Sequence, residues 1–141
     1  MTERQLHLFR SKKQRGVIVR PRTSEFQLQC QVAEVLRRWC SEWWIYTHLP
    51  MGEKRDPVTA MRLKRMGTMP GWPDFQFFGP RREVAFLELK RPGGGGRVSE
   101  EQLAVSTRLQ WCGHKYHCTN DFQMALDWLR DLEIVRVRVS A

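Results

Sequence analysis

The residues from Gly71 to Lys90 read GWPDFQFFGPRREVAFLELK. Two apolar runs, Asp74–Phe78 and Val84–Lys90, are separated by Gly79–Glu83, a linker of hairpin length. Both therefore read as strands. The second run is mostly apolar, as expected for a central strand covered on both sides. Alternate residues of a strand share a face. Val84, Phe86, Glu88 and Lys90 thus point one way, and Ala85, Leu87 and Leu89 the other. A carboxylate and an ammonium on such a strand are costly unless each is paired or bound.

Outward from this hairpin, helices dominate. A helix is expected from Ser24 to Cys40. Ser24 with Gln27 matches a capping box, and Leu28, Val32, Val35, Leu36 and Trp39 recur at helical spacing. Glu25 falls on that apolar stripe, whereas Glu34 falls on the solvent side. Trp43–Thr47 reads as a strand. The stretch from His48 to Pro73 is irregular, with a short helix over Thr59–Met66, and Gly67, Pro70, Gly71 and Pro73 break it up. Beyond the hairpin, Pro92–Gly96 is a glycine-rich loop. A helix from Ser99 to about Gly113 opens on a second capping box, Ser99 with Gln102. His114–Cys118 reads as a short strand. Thr119–Asp121 then caps a helix ending near Leu132, and alternation over Ile134–Val139 suggests a last edge strand.

The chain of 141 residues divides into a basic arm over 1–22 and one domain over 23–141. The arm carries Arg4, Arg10, Lys12, Lys13, Arg15, Arg20 and Arg22 against one acid, Glu3. It reads as a solvated tail, or as an arm that adds phosphate contacts. Net charge is +9 and the pI about 10.0, which favours a polyanionic partner such as nucleic acid. No apolar run approaches the roughly 20 residues that cross a bilayer. The opening MTERQLHLFRSKKQRG lacks the apolar core of a secretory signal. The expected location is cytoplasmic, with no membrane partner, and Cys30, Cys40, Cys112 and Cys118 are expected to be reduced thiols.

Asp74 opens the strand that pairs with Val84–Lys90, so strand pairing can bring it to Glu88. Two carboxylates and an amine at one point suit phosphodiester hydrolysis. Carboxylates are hard ligands for Mg²⁺ or Mn²⁺, and a lysine can orient water or stabilise phosphate charge. A structural ion-pair network is the plainer alternative. Cys112, His114, His117 and Cys118 invite a zinc reading, but His114 and His117 lie on opposite faces of a strand.

Gly71-Trp-Pro-Asp74, Glu88-Leu-Lys90 and Ser99-x-x-Gln102 together resemble the VRR-NUC branch of the PD-(D/E)XK nuclease superfamily. Glu25–Gln29 is similar to that family's opening helix, and His48–Arg55 to its basic loop. The resemblance spans about Ser24 to Leu129. It implies an α/β, restriction-endonuclease-like core: a mixed central β-sheet flanked by helices. It also implies Asp74, Glu88 and the Leu89 backbone carbonyl as ligands to Mg²⁺ or Mn²⁺, with Lys90 as catalytic lysine. Gln102 becomes a supporting glutamine and Glu25 an acidic residue near the metal. Gln102 is equally a capping residue, and Glu25 equally a first-turn acid complementing the helix dipole.

The function expected is therefore a metal-dependent endonuclease acting on DNA, with Lys54, Arg55, Arg62, Lys64 and Arg65 gripping phosphates. The resemblance adds branched DNA such as four-way junctions, and a homodimer, in a bacterial or phage-infected cell. The competing reading is a nucleic-acid-binding module of the same fold that has lost catalysis.

Overall fold

A computed structural model describes residues 23–51, 54–94 and 96–136. The arm expected over 1–22 and the end of the last expected strand, 137–139, lie outside the described residues. So do positions 52–53 of the basic loop.

Helix α1 (Glu25–Trp39) starts where the capping box expects it. Gln27 N–H donates to Ser24 Oγ at 3.1 Å and Ser24 N–H to Gln27 Oε1 at 2.8 Å. Its buried stripe is Leu28, Val32, Val35 and Leu36. Strand β1 (Ile45–His48) begins later than the sequence suggests, because the Trp44 N–H closes a turn onto Ser41 C=O at 3.0 Å. Helix α2 (Pro57–Arg65) begins earlier than expected. Asp56 caps it by accepting from Thr59 N–H at 2.9 Å, and Pro57 needs no N–H partner at the first position.

The hairpin forms as β2 (Phe75–Phe78) and β3 (Val84–Leu89). Its connection is a tight turn with Arg81 and Arg82 at φ 55° and 64°, closed by Glu83 N–H on Pro80 C=O at 3.1 Å. Helix α3 (Glu100–Trp111), strand β4 (Lys115–Thr119) and helix α4 (Phe122–Asp131) follow.

The sheet order is β1-β2-β3-β4. The first three strands are antiparallel and β4 joins β3 in parallel, so the sheet is mixed. On one face Phe75, Phe77, Ala85, Leu87 and Leu89 pack with α1 and α4 through Leu28, Leu36, Ala125 and Leu129. On the other, Phe86 packs with Val105 and Leu109 of α3, flanked by Trp72 and Tyr116. Burying each such Leu or Phe contributes roughly 1.5–3 kcal/mol, so coverage on both sides fixes β3 at the centre.

Of the expected last edge strand, the described residues show an antiparallel bridge between Val135 and Cys40. Glu133 turns the chain with φ 57° ahead of it, and Ile134 is seated in the core. All four cysteines are free thiols. His114 lies against Phe86 and His117 stacks on Trp128, on opposite sides of the sheet.

Candidate active site

Phe75 stands opposite Leu87 in the β2–β3 register, so one further step places Asp74 opposite Glu88. Gly71 sets the approach to this point. Its φ is +80°, and a Cβ there would lie 2.5 Å from the Glu101 carbonyl carbon and 2.6 Å from the Gln102 nitrogen. The missing side chain lets the first turn of α3 press against the Gly-Trp-Pro-Asp turn. Trp72 completes the packing edge-on to Phe86, 5.6 Å between centroids. Asp74 Oδ2 then accepts the Leu89 N–H at 2.8 Å, tying the carboxylate to β3.

Glu88 is 3% exposed, on the same face as Phe86. Lys90 N–H donates to Thr119 C=O at 2.9 Å, which carries the pairing with β4 one residue past the strand and keeps Lys90 on the Glu88 side. Its Nζ lies 2.8 Å from Glu88 Oε1 and donates to Gln102 Oε1 at 2.6 Å. Gln102 Nε2 donates to the same Glu88 oxygen. Gln102 Oε1 also accepts the Ser99 N–H at 3.1 Å, and Gln102 N–H donates to Ser99 Oγ at 3.2 Å. Gln102 thus caps α3 and contacts Lys90 and Glu88 at the same time. Cys112, the C-cap of α3, is exposed.

The charges in this cluster are unbalanced. Burial, followed by the Asp74 charge, raises Glu88 to a pKa of about 7, against the pull of Lys90. Burial also raises Asp74, with Glu25 adding to the rise and the Leu89 N–H opposing it. Cys118 stands opposite Glu88 on β4, and burial, then that carboxylate, raise its thiol.

Glu25 is exposed on the first turn of α1 and acts on Asp74 through its charge. Glu34 is instead held by Arg37 at 2.9 Å and Arg38 at 2.6 Å. Two residues that the sequence reading did not single out also reach the site. His48 Nδ1 lies 2.7 Å from the Asp74 carbonyl oxygen, and Gln29 Nε2 lies 2.9 Å from each His48 ring nitrogen. Gln29 follows Glu25 by one helical turn, and that spacing was the available signal.

The basic residues divide. Lys54, Arg62, Lys64 and Arg65 are exposed, the last three on α2, which buries no residue. Arg55 is half-buried and donates to the Pro50 carbonyl, so it braces its own loop.

The donor set fits a hard divalent cation. Asp74 and Glu88 are adjacent, mutually repelling carboxylates, and Asp74 Oδ1 takes no hydrogen bond among the described residues. No three His, Cys, Asp or Glu side chains among the described residues gather into a metal-holding group. Two carboxylates with water and substrate oxygens suffice for Mg²⁺. No helix among the described residues is long and apolar enough to cross a membrane.

No family model and no curated protein matches this sequence. A solved chain described as a VRR_NUC domain is 18% identical, with 77% of this chain and 96% of that one covered and a TM-score of 0.51. The α/β fold is that of a VRR_NUC domain, as the sequence resemblance implied.

Proposed function

We propose that this chain is a nuclease that hydrolyses DNA phosphodiester bonds with Mg²⁺ or Mn²⁺. The observation that carries the reading is the Glu88–Lys90–Gln102 cluster around the buried Glu88, with Asp74 opposite it. Asp74, Glu88 and the Leu89 carbonyl would hold the cation. A divalent cation there offsets phosphate charge and acidifies an attached water.

Lys90 Nζ gives one N–H to Glu88 and one to Gln102, and the third is left for the attacking water or a phosphate oxygen. Gln102 keeps the lysine aligned, since its own position is fixed by the helix cap. Exposed Lys54, Arg62, Lys64 and Arg65 supply phosphate contacts that hold a backbone without reading bases. The +9 net charge supports a polyanionic substrate. Branched DNA, and a homodimer that brings two sites to two strands, belong to the same reading.

Purified protein is incubated with supercoiled plasmid, linear duplex and four-way-junction DNA, with Mg²⁺, Mn²⁺ or EDTA. Cutting is expected with either metal and not with EDTA. Asp74→Ala and Lys90→Ala should each lower the rate by about 10³-fold or more. Equal rates in both variants and wild type would reject the site. Binding without cutting under every metal would favour the inactive module.

A further inference from the structure

The bond from His48 to the Asp74 main chain lies outside the roles assigned above. Asp74 C=O accepts twice: from Leu49 N–H at 2.9 Å and from His48 Nδ1 at 2.7 Å. A carbonyl cannot donate, so His48 carries its proton on Nδ1. In the neutral ring Nε2 is then the acceptor, and the Gln29 amide nitrogen, 2.9 Å from both ring nitrogens, can donate only to it. The ring also leans on Phe75, 5.5 Å between centroids. The Asp74 carbonyl thus sets the proton on Nδ1, and Gln29, packed against the ring edge, ties α1 to the residue opposite Glu88. Gln29 lies one turn after Glu25 on α1.

We infer that His48, oriented by Gln29, is a positioning residue that holds the Asp74 carboxylate in place for a divalent cation. The inference rests on the nuclease reading for the identity of the ligand. The geometry of Asp74 can be followed without it. Outer hydrogen-bond partners of metal ligands typically change affinity by about 10–100-fold when removed.

Three variants separate the strap from simple packing. His48→Asn keeps a donor near the Nδ1 position without the ring. His48→Phe keeps the ring on Phe75 without the donor. His48→Ala removes both. Mn²⁺ affinity is measured by electron paramagnetic resonance of free Mn²⁺, with no DNA present. Hydrogen exchange of the Leu89 amide, which donates to Asp74 Oδ2, is measured in EDTA.

His48→Asn should bind Mn²⁺ within about three-fold of wild type, while His48→Phe and His48→Ala should bind about ten-fold more weakly or worse. Leu89 exchange should accelerate about ten-fold in the Phe and Ala variants and stay near wild type in Asn. Rescue by Phe and not by Asn would overturn the inference and leave His48 as a packing ring. If wild type binds no Mn²⁺, the metal reading fails. The Leu89 exchange pattern then still decides whether His48 positions Asp74, and uniform exchange across the three variants would refute it.

Discussion

The two capping boxes of this chain begin alike and end differently. Ser24 with Gln27 and Ser99 with Gln102 make the same reciprocal pair of hydrogen bonds at the start of α1 and α3. Gln27 is exposed and makes no further side-chain hydrogen bond among the described residues. Gln102 is half-buried, and its amide also bridges Lys90 and Glu88. A local motif therefore sets where a helix starts, whereas the surface against which that start is pressed decides whether its residues gain further partners. Here that surface is the Gly71–Asp74 turn.

Pushing the second helix start away from that turn should have the largest effect. Gly71→Ala combines a left-handed φ with overlap onto the Glu101 and Gln102 backbone, and backbone cannot rotate aside. A loss of about 3 kcal/mol or more is expected from strain plus overpacking, read as a fall in denaturant midpoint. DNA cutting should fall with it even where the protein remains folded.

The pH dependence should come next. Glu88 rises from an ordinary carboxylate value to about 7 in the folded protein, so the folded state binds its proton more tightly than the unfolded state does. Its contribution to stability is then fully present below the unfolded pKa and is lost as pH climbs through about 7. In EDTA the midpoint should drop between about pH 4.5 and 7, by up to about 3 kcal/mol from this group. Glu88→Gln should flatten that slope, while Gln27→Ala should leave it unchanged. An identical slope in Glu88→Gln would detach Glu88 from it.

Paired alanine variants test the two boxes directly. Gln27→Ala and Gln102→Ala should each cost about 1 kcal/mol of stability or less through the cap. Only Gln102→Ala should also slow cutting, by about 10–100-fold, as outer partners of a site do. Equal rates for the two variants would erase the distinction. The smallest effect belongs far from both boxes. Replacing Arg81 and Arg82, both at positive φ, with Asn-Gly should add about 1 kcal/mol of stability and leave the cutting rate alone.

Much of this architecture was legible in the residues. The apolar run VAFLEL announces a central strand, and period-2 geometry alone puts Glu88 and Lys90 on one side. That strand pairing could bring Asp74 to Glu88 was legible, whereas the register that sets them opposite came from the structure. The fate of Gln102 was not legible as one answer, because a cap and a site contact are not exclusive when Oε1 can accept two donors. His48 and Gln29 fall in stretches that resemble the family, yet neither was given a role, because their partners are a backbone carbonyl and each other. Arg55 read as a phosphate contact by charge alone, and its bond to Pro50 depends on loop conformation. Of the edge strand expected over Ile134–Val139, the described residues show a bridge from Val135 to Cys40 after a turn at Glu133, and alternation alone does not name that partner.

The most direct test of the central claim is Mn²⁺ binding at pH 8, measured by calorimetry on wild type and on Glu88→Gln. Saturable binding is expected in wild type, with affinity reduced at least ten-fold in the variant. Equal affinity in both, or no saturable binding to wild type, would contradict the assignment of Asp74 and Glu88 as the metal-holding pair.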